Sequence, residues 1–213
     1  MSRWYRFMYR VGITPWESDY NLVPQLEGLL TSEEADRDTP YGPALDLGCG
    51  TGRWSVLLAK RGWKVTGIDV VPKAVRAARE RVRDEGVEVE ILEGDVTALR
   101  DAGVAPGFSF FLDVECFNHL SDEQRAKVGA EVNAVASDDA TMLLLVWTKA
   151  RRGPLPPGAG PDDLTRALAG WSIVDQHPYE GEMPAPLRSA SPRWFRLVRD
   201  VGGQSERSSA PHT

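Results

Sequence analysis

Hydrophobic positions divide the chain into short apolar runs separated by helical patterns. Leu22, Leu26, Leu29 and Leu30 share one face of a helix predicted over about 20–30, and the polar stretch 31–42 reads as a loop. From Ala44 the pattern alternates. A strand over 44–48 leads to a helix over 53–61, with Trp54, Leu57 and Leu58 inward and Gly62 as its stop. A strand over 64–69 follows, then a helix over 73–84 with Pro72 in its first turn and Gly86 beyond its end. Strands over 87–92 and 108–113 bracket a short helical piece at 97–102. Ser121 and Gln124 make a capping box for a helix over 122–136. The run 141–147 is almost wholly apolar, as suits a strand buried on both faces.

The last third has a different texture. Residues 149–161 and 178–192 are rich in Pro and Gly, around a helix over 162–169 and a strand over 171–176. A final strand is predicted over 194–198, close enough to its predecessor to pair as an antiparallel, hairpin-like edge. Residues 201–213 are Gly/Ser-rich and read as a disordered tail. The fold class is α/β: a Rossmann-like, doubly wound, seven-stranded sheet, mostly parallel with an antiparallel C-terminal edge. One domain is expected over 1–200. It comprises an N-terminal lid or helical arm (1–42), a cofactor-binding core (43–148), and C-terminal strands with substrate loops (149–200).

Charge narrows the partners. A formal net charge of −6 over 213 residues argues against a nucleic acid as main partner, although Arg3, Arg6 and Arg10 open the chain. Cys49 and Cys116 suggest no disulfide scaffold, and the three histidines show no metal-ligand spacing, so no metal is expected. With no apolar run of membrane-spanning length and no apolar leader, no membrane partner is expected and a cytoplasmic location is the default. Monomer and dimer both remain open.

The chemistry concentrates at Asp46-Leu47-Gly48-Cys49-Gly50-Thr51-Gly52. A strand enters a loop with glycine at alternate positions, and a helix leaves it: the layout of a nucleoside-binding crevice. The dinucleotide pattern G-x-G-x-x-G needs its third glycine at 53, where the chain has Arg53. Asp69 closes the second strand, where a carboxylate can accept bonds from two ribose hydroxyls; its competing role is a helix cap. For Asp46 the competing role is capping of backbone amides in the turn, and for Asp95 it is capping of the short helix at 97.

These segments, with Gly67-Ile68-Asp69, Glu93-Gly94-Asp95-Val96 and the stretch 108–120, resemble the class I S-adenosylmethionine-dependent methyltransferases in order and spacing over roughly 43–148. Thr14-Pro15-Trp16-Glu17 is similar to a segment of small-molecule methyltransferases of the thiopurine and related thiol or phenol type. The resemblance implies that Gly48, Cys49, Gly50 and Gly52 receive the cofactor's aminocarboxylate tail with Asp46 near its ammonium. Asp69 would hold the ribose, Val70 pack on the adenine, and Asp95 and Val96 bind its amine. Val114 and Glu115 would border the methyl donor, S-adenosylhomocysteine being the product. Trp16 would stand as an aromatic wall beside the sulfonium, with Tyr9 and Tyr20 near the same mouth. Arg151 and Arg152 suit an anionic acceptor or a solvated loop.

Glu115 and His119 are the candidate acid/base pair, since imidazole takes a proton near neutral pH. His119 has a structural role as its alternative. The expected function is methyl transfer to O, S or N of a small-molecule acceptor. The alternatives are an NAD(P)-dependent oxidoreductase, which would share the first loop and the ribose acid, and a cofactor-binding protein without transfer activity.

Overall fold

A computed structural model describes residues 22–147, 158–181 and 191–200. The described strands are β1 (Pro43–Leu47), β2 (Lys64–Asp69), β3 (Val89–Glu93), β4 (Phe108–Val114), β5 (Ala136–Trp147), β6 (Trp171–Pro178) and β7 (Pro192–Arg199). They form one sheet in the order β3-β2-β1-β4-β5-β7-β6. The first five run parallel, while β7 is antiparallel to both β5 and β6. The expected antiparallel edge is present, with the last strand inside it: β7 slots between β5 and β6.

The helices are α1 (Val23–Glu34), α2 (Arg53–Arg61), α3 (Pro72–Asp84), α4 (Asp122–Val135) and α5 (Pro161–Ala167). Because side chains alternate along a strand, β4 sends Phe111 to one face and Phe110 and Leu112 to the other. On the first face Phe111, Leu144 and Val146 pack with Val128, Val132 and Leu164 of α4 and α5. On the second, Leu112, Leu145 and Trp194 pack with Leu22, Leu26 and Leu30. Both faces are dry, which explains the unbroken apolar run of β5. Each such side chain, fully buried, is worth about 1.5–3 kcal/mol.

Several boundaries differ from the sequence reading. α1 continues through Glu34 into the stretch expected to be loop, because Glu33 and Glu34 are buried with partners. Glu33 accepts hydrogen bonds from Arg37 (2.7 Å), Arg196 (2.7 Å) and Thr141. Glu34 takes both Arg61 and the Trp63 indole N–H (2.8 Å). β5 starts directly after α4, at Ala136 rather than 141, with a register shift against β4 between Phe108 and Phe110. The short piece after β3 is a 3-10 turn over Val96–Ala98. β6 and β7 each extend past their expected ends, to Pro178 and Arg199, held by their mutual ladder. The expected Ser121–Gln124 capping box is present at α4. Trp16, Tyr9, Tyr20, Arg151, Arg152, most of both Pro-rich stretches and the tail lie outside the described residues.

Candidate active site

β1 and β4 are neighbours, yet β1 is followed by the α2 side of the sheet and β4 by the opposite one. Such a reversal opens a crevice at the strands' carboxyl ends. The glycine loop lies there. Gly48 has φ +70°, and a Cβ on it would sit 2.7 Å from both Cβ and Sγ of Cys116. The turn after β4 therefore presses directly on the loop after β1. Gly52 has φ +77° and would meet Ala78 Cβ at 3.0 Å, so it serves both the turn and the close approach of α2 to α3. The N–H groups of Gly48 and Cys49 donate to Ile68 O, and Arg81 Nε of α3 donates to Thr51 O at 2.9 Å.

Three aspartates surround this loop. Asp46 is buried, accepts from Ser55 Oγ at 2.6 Å and takes the Ser55 backbone N–H, so it does hold the third residue of α2. Burial pushes its carboxyl up to about 7; the Ser55 bonds oppose that and nearby Asp69 adds to it. Asp69, also buried, accepts from Gly50 N–H (3.1 Å) and Val71 N–H (2.8 Å), tying the loop to the end of β2. It is not the cap of α3, whose N-cap is Val71 without a side-chain bond. Asp95 does cap the 3-10 turn: its Oδ1 accepts from Thr97 N–H (3.0 Å) and Thr97 Oγ1 (2.8 Å). Val96 and Cys49 are buried beside these acids, and Val70 and Val114 are half-buried.

Beyond β4 the chain turns through Glu115, whose φ of +73° is rare for a residue with a Cβ. Its buried carboxylate accepts from Trp147 Nε1 at 2.9 Å, and burial pushes it up to about 7 against that bond. The backbone N–H of Trp147 goes to Asn118 Oδ1 at 2.9 Å. Trp147 thus clamps the 3-10 turn Cys116–His119 at two points. His119 is half-buried, its ring edge-on to Trp147 at 6.2 Å. Burial pushes its imidazole down to about 4. Burial also pushes the thiols of Cys49 and Cys116 well up, which leaves both protonated.

Motif spacing missed three supporting residues. Asp113 is buried, accepts from Phe117 N–H at 3.1 Å, and is pushed up to about 7 by burial. Its one sequence signal is a lone carboxylate in an apolar run. Arg125 is buried, donates to Phe117 O (3.2 Å) and Gly158 O (2.9 Å), and lies 4.8 Å over the Phe117 ring. Arg81, the clasp on Thr51, is the third. Neither arginine stands out from its neighbours in sequence.

A family model described as "Methyltransferase domain" matches residues 44–139, the segment that contains the glycine loop with Asp46, Asp69, Asp95, Asp113 and Glu115. Over this segment, a little under half of its length, the chain is similar to methyltransferase domains. Among related proteins of that kind, ribosomal RNA small subunit methyltransferase C of Alcanivorax borkumensis is 44% identical over 68 residues, which is 32% of this chain and 21% of that one. Ubiquinone biosynthesis O-methyltransferase of a Caulobacter species is 29% identical over 170 residues, 71% of this chain and 66% of that one. The chain thus spans from about a fifth to two thirds of these relatives' lengths. The solved structure of the N-methyltransferase NodS from Bradyrhizobium japonicum, in complex with S-adenosylhomocysteine, shares the methyltransferase fold. Its TM-score is 0.69 at 18% identity, covering 90% of this chain and 91% of that one.

Proposed function

We propose that this chain transfers the methyl group of S-adenosylmethionine to an O, S or N atom of a small molecule, releasing S-adenosylhomocysteine. The observation that carries the reading is the set of three carboxylates, Asp46, Asp69 and Asp95, at the carboxyl ends of β1, β2 and β3 around one glycine loop. An acceptor-rich wall suits a ligand that offers an ammonium, two ribose hydroxyls and an adenine amine. A dinucleotide would bring a pyrophosphate against the same acids, which disfavours the nicotinamide reading.

In this assignment the loop 48–52 and Asp46 hold the amino acid tail, Asp69 the ribose, and Asp95 and Val96 the adenine, against Val70. The bound cofactor supplies an electrophilic methyl group on a sulfonium. Val114 and Glu115 border it, and Trp16 is assigned to its open side. Glu115 receives the acceptor's proton: its raised carboxyl is poised close to neutral pH. Neutral His119 packs on Trp147 and helps to fix that geometry. Positioning and exclusion of water supply the rest of the rate enhancement. The acidic balance of the chain favours a small acceptor over RNA. Two free thiols fit a cytoplasmic location. Calorimetry tests the cofactor assignment: S-adenosylhomocysteine should bind at micromolar affinity or tighter and NADH should not. The reverse ranking would sink it.

A further inference from the structure

Thr51 stands between Gly50 and Gly52, whose φ values are +54° and +77°. Glycine has more backbone freedom to lose than any other residue. The peptide groups beside Thr51 therefore keep one orientation only where other groups fix them. The fixing comes from both ends of the β2–α3 unit. Asp69, closing β2, accepts from the Gly50 N–H at 3.1 Å. Arg81, in the last turn of α3, donates from Nε to Thr51 O at 2.9 Å. The Gly50–Thr51 peptide is thus bracketed by two anchored peptides, one held by an acceptor and the other by a donor. Gly52 rests on Ala78, one turn before Arg81 on the same helix face. Its N–H closes the turn on Cys49 O at 2.9 Å.

The Arg81 bond adds nothing to the docking of α3. That docking is apolar: Val75, Ala78 and Val82 are buried with Cys49, Val56 and Ile91. A different arginine ties the helix to the sheet, since Arg79 donates to Ile91 O of β3 from Nε (3.2 Å) and Nη2 (2.8 Å). Arg79 places the helix, and Arg81 places the loop. A ligand that meets a preordered loop does not have to order it on binding, and gains affinity by that amount.

We propose that Arg81 is a positioning residue for the amino acid tail of the cofactor: it holds the Gly50–Thr51 peptide in the orientation that receives the tail, and so sets affinity for the tail and not for the nucleoside. The inference rests on the methyltransferase reading above. Its test uses the full chain and two ligands, S-adenosylhomocysteine and 5′-methylthioadenosine, which has the same nucleoside and sulfur but no amino acid. Arg81→Met keeps the aliphatic stem and a good helix former while removing the donor. It weakens S-adenosylhomocysteine about tenfold by calorimetry, which is about 1.4 kcal/mol. In displacement titrations 5′-methylthioadenosine binds wild type and variant with the same affinity. Arg81→Gln gives the same split, and Arg79→Met, which cuts only the tie to β3, leaves S-adenosylhomocysteine affinity unchanged. Amide hydrogen exchange of the unliganded chain supplies a readout free of either ligand. Gly50 and Gly52 exchange about tenfold faster in Arg81→Met, while the β2 amides stay at wild-type protection. Equal weakening of both ligands, an equal loss in Arg79→Met, or unchanged exchange at Gly50 and Gly52 would overturn the role of Arg81. Failure of S-adenosylhomocysteine to bind the wild type would instead bring down the cofactor assignment.

Discussion

The two ends of this sheet bury acids in opposite ways. At the amino ends of β4 and β5, Glu33 and Glu34 are surrounded by guanidinium groups: Arg37 and Arg196 on one, Arg61 on the other, with Thr141 and the Trp63 indole completing the set. At the carboxyl ends, among the described residues, Asp46, Asp113 and Glu115 take their hydrogen bonds from neutral donors, namely Ser55, the backbone of Cys116 and Phe117, and Trp147. A buried charge that is fully paired acts as a clamp; removing one partner strands the others. A buried acid without a cation is raised in pKa and keeps accepting capacity for something else, the condition of a functional site. The difference shows which acids hold the fold and which are held ready by it.

Glu33→Ala gives the largest effect expected from breaking this contrast. It deprives Arg37, Arg196 and Thr141 of one shared acceptor and should cost about 3 kcal/mol in urea unfolding, with no change in S-adenosylhomocysteine affinity of the folded protein. A loss below about 1 kcal/mol would mean that solvent replaces Glu33.

Acidity probes the other end. The folded pKa values of Asp46, Asp113 and Glu115 lie above their unfolded values, at about 7. Between pH 4 and 7 the unfolded chain has released protons that the folded chain retains. Stability is therefore fullest below the unfolded carboxyl values and falls as pH rises towards 7, by up to about 1.4 kcal/mol per pH unit for each group. Asp113→Asn should flatten that slope. An equal slope in the variant, measured by chemical denaturation across this range, would remove Asp113 from the account.

Smallest in energy is Asp69→Ala. It should weaken S-adenosylhomocysteine at least tenfold, about 1.4 kcal/mol, because a sheltered charge-assisted acceptor is lost. Unchanged affinity would reduce Asp69 to a tie between Gly50 and Val71.

Much of this was legible in the chain because it is local. The alternation from Ala44 onward, the Gly48–Gly52 spacing, the stop at Gly62 and the Ser121–Gln124 box all depend on neighbours a few residues away. What escaped depends on distance. Glu33 reads as loop until Thr141 and Arg196 arrive from 108 and 163 residues away. His119 reads as an ordinary imidazole, and its packing beside Trp147, which lowers its pKa, is set by residues 28 positions on. Trp194 carries no motif; only the ladder of β5, β7 and β6 sets it between Leu145 and His177. Asp46 shows both layers: its place at the end of β1 is local, and its bond to Ser55 is a turn-capping contact that a ligand would share.

The interior position of β7 has a consequence for how the protein is made. During synthesis β5 is complete long before residue 192 is added, and its outer edge, carrying Leu143 and Leu145, has no strand to pair with. At ribosomal speed that gap lasts on the order of seconds. An unpaired apolar edge is a template for pairing with another chain. The nascent polypeptide therefore passes through a sticky interval that only its final strand ends, and a chain cut before residue 192 would remain in it.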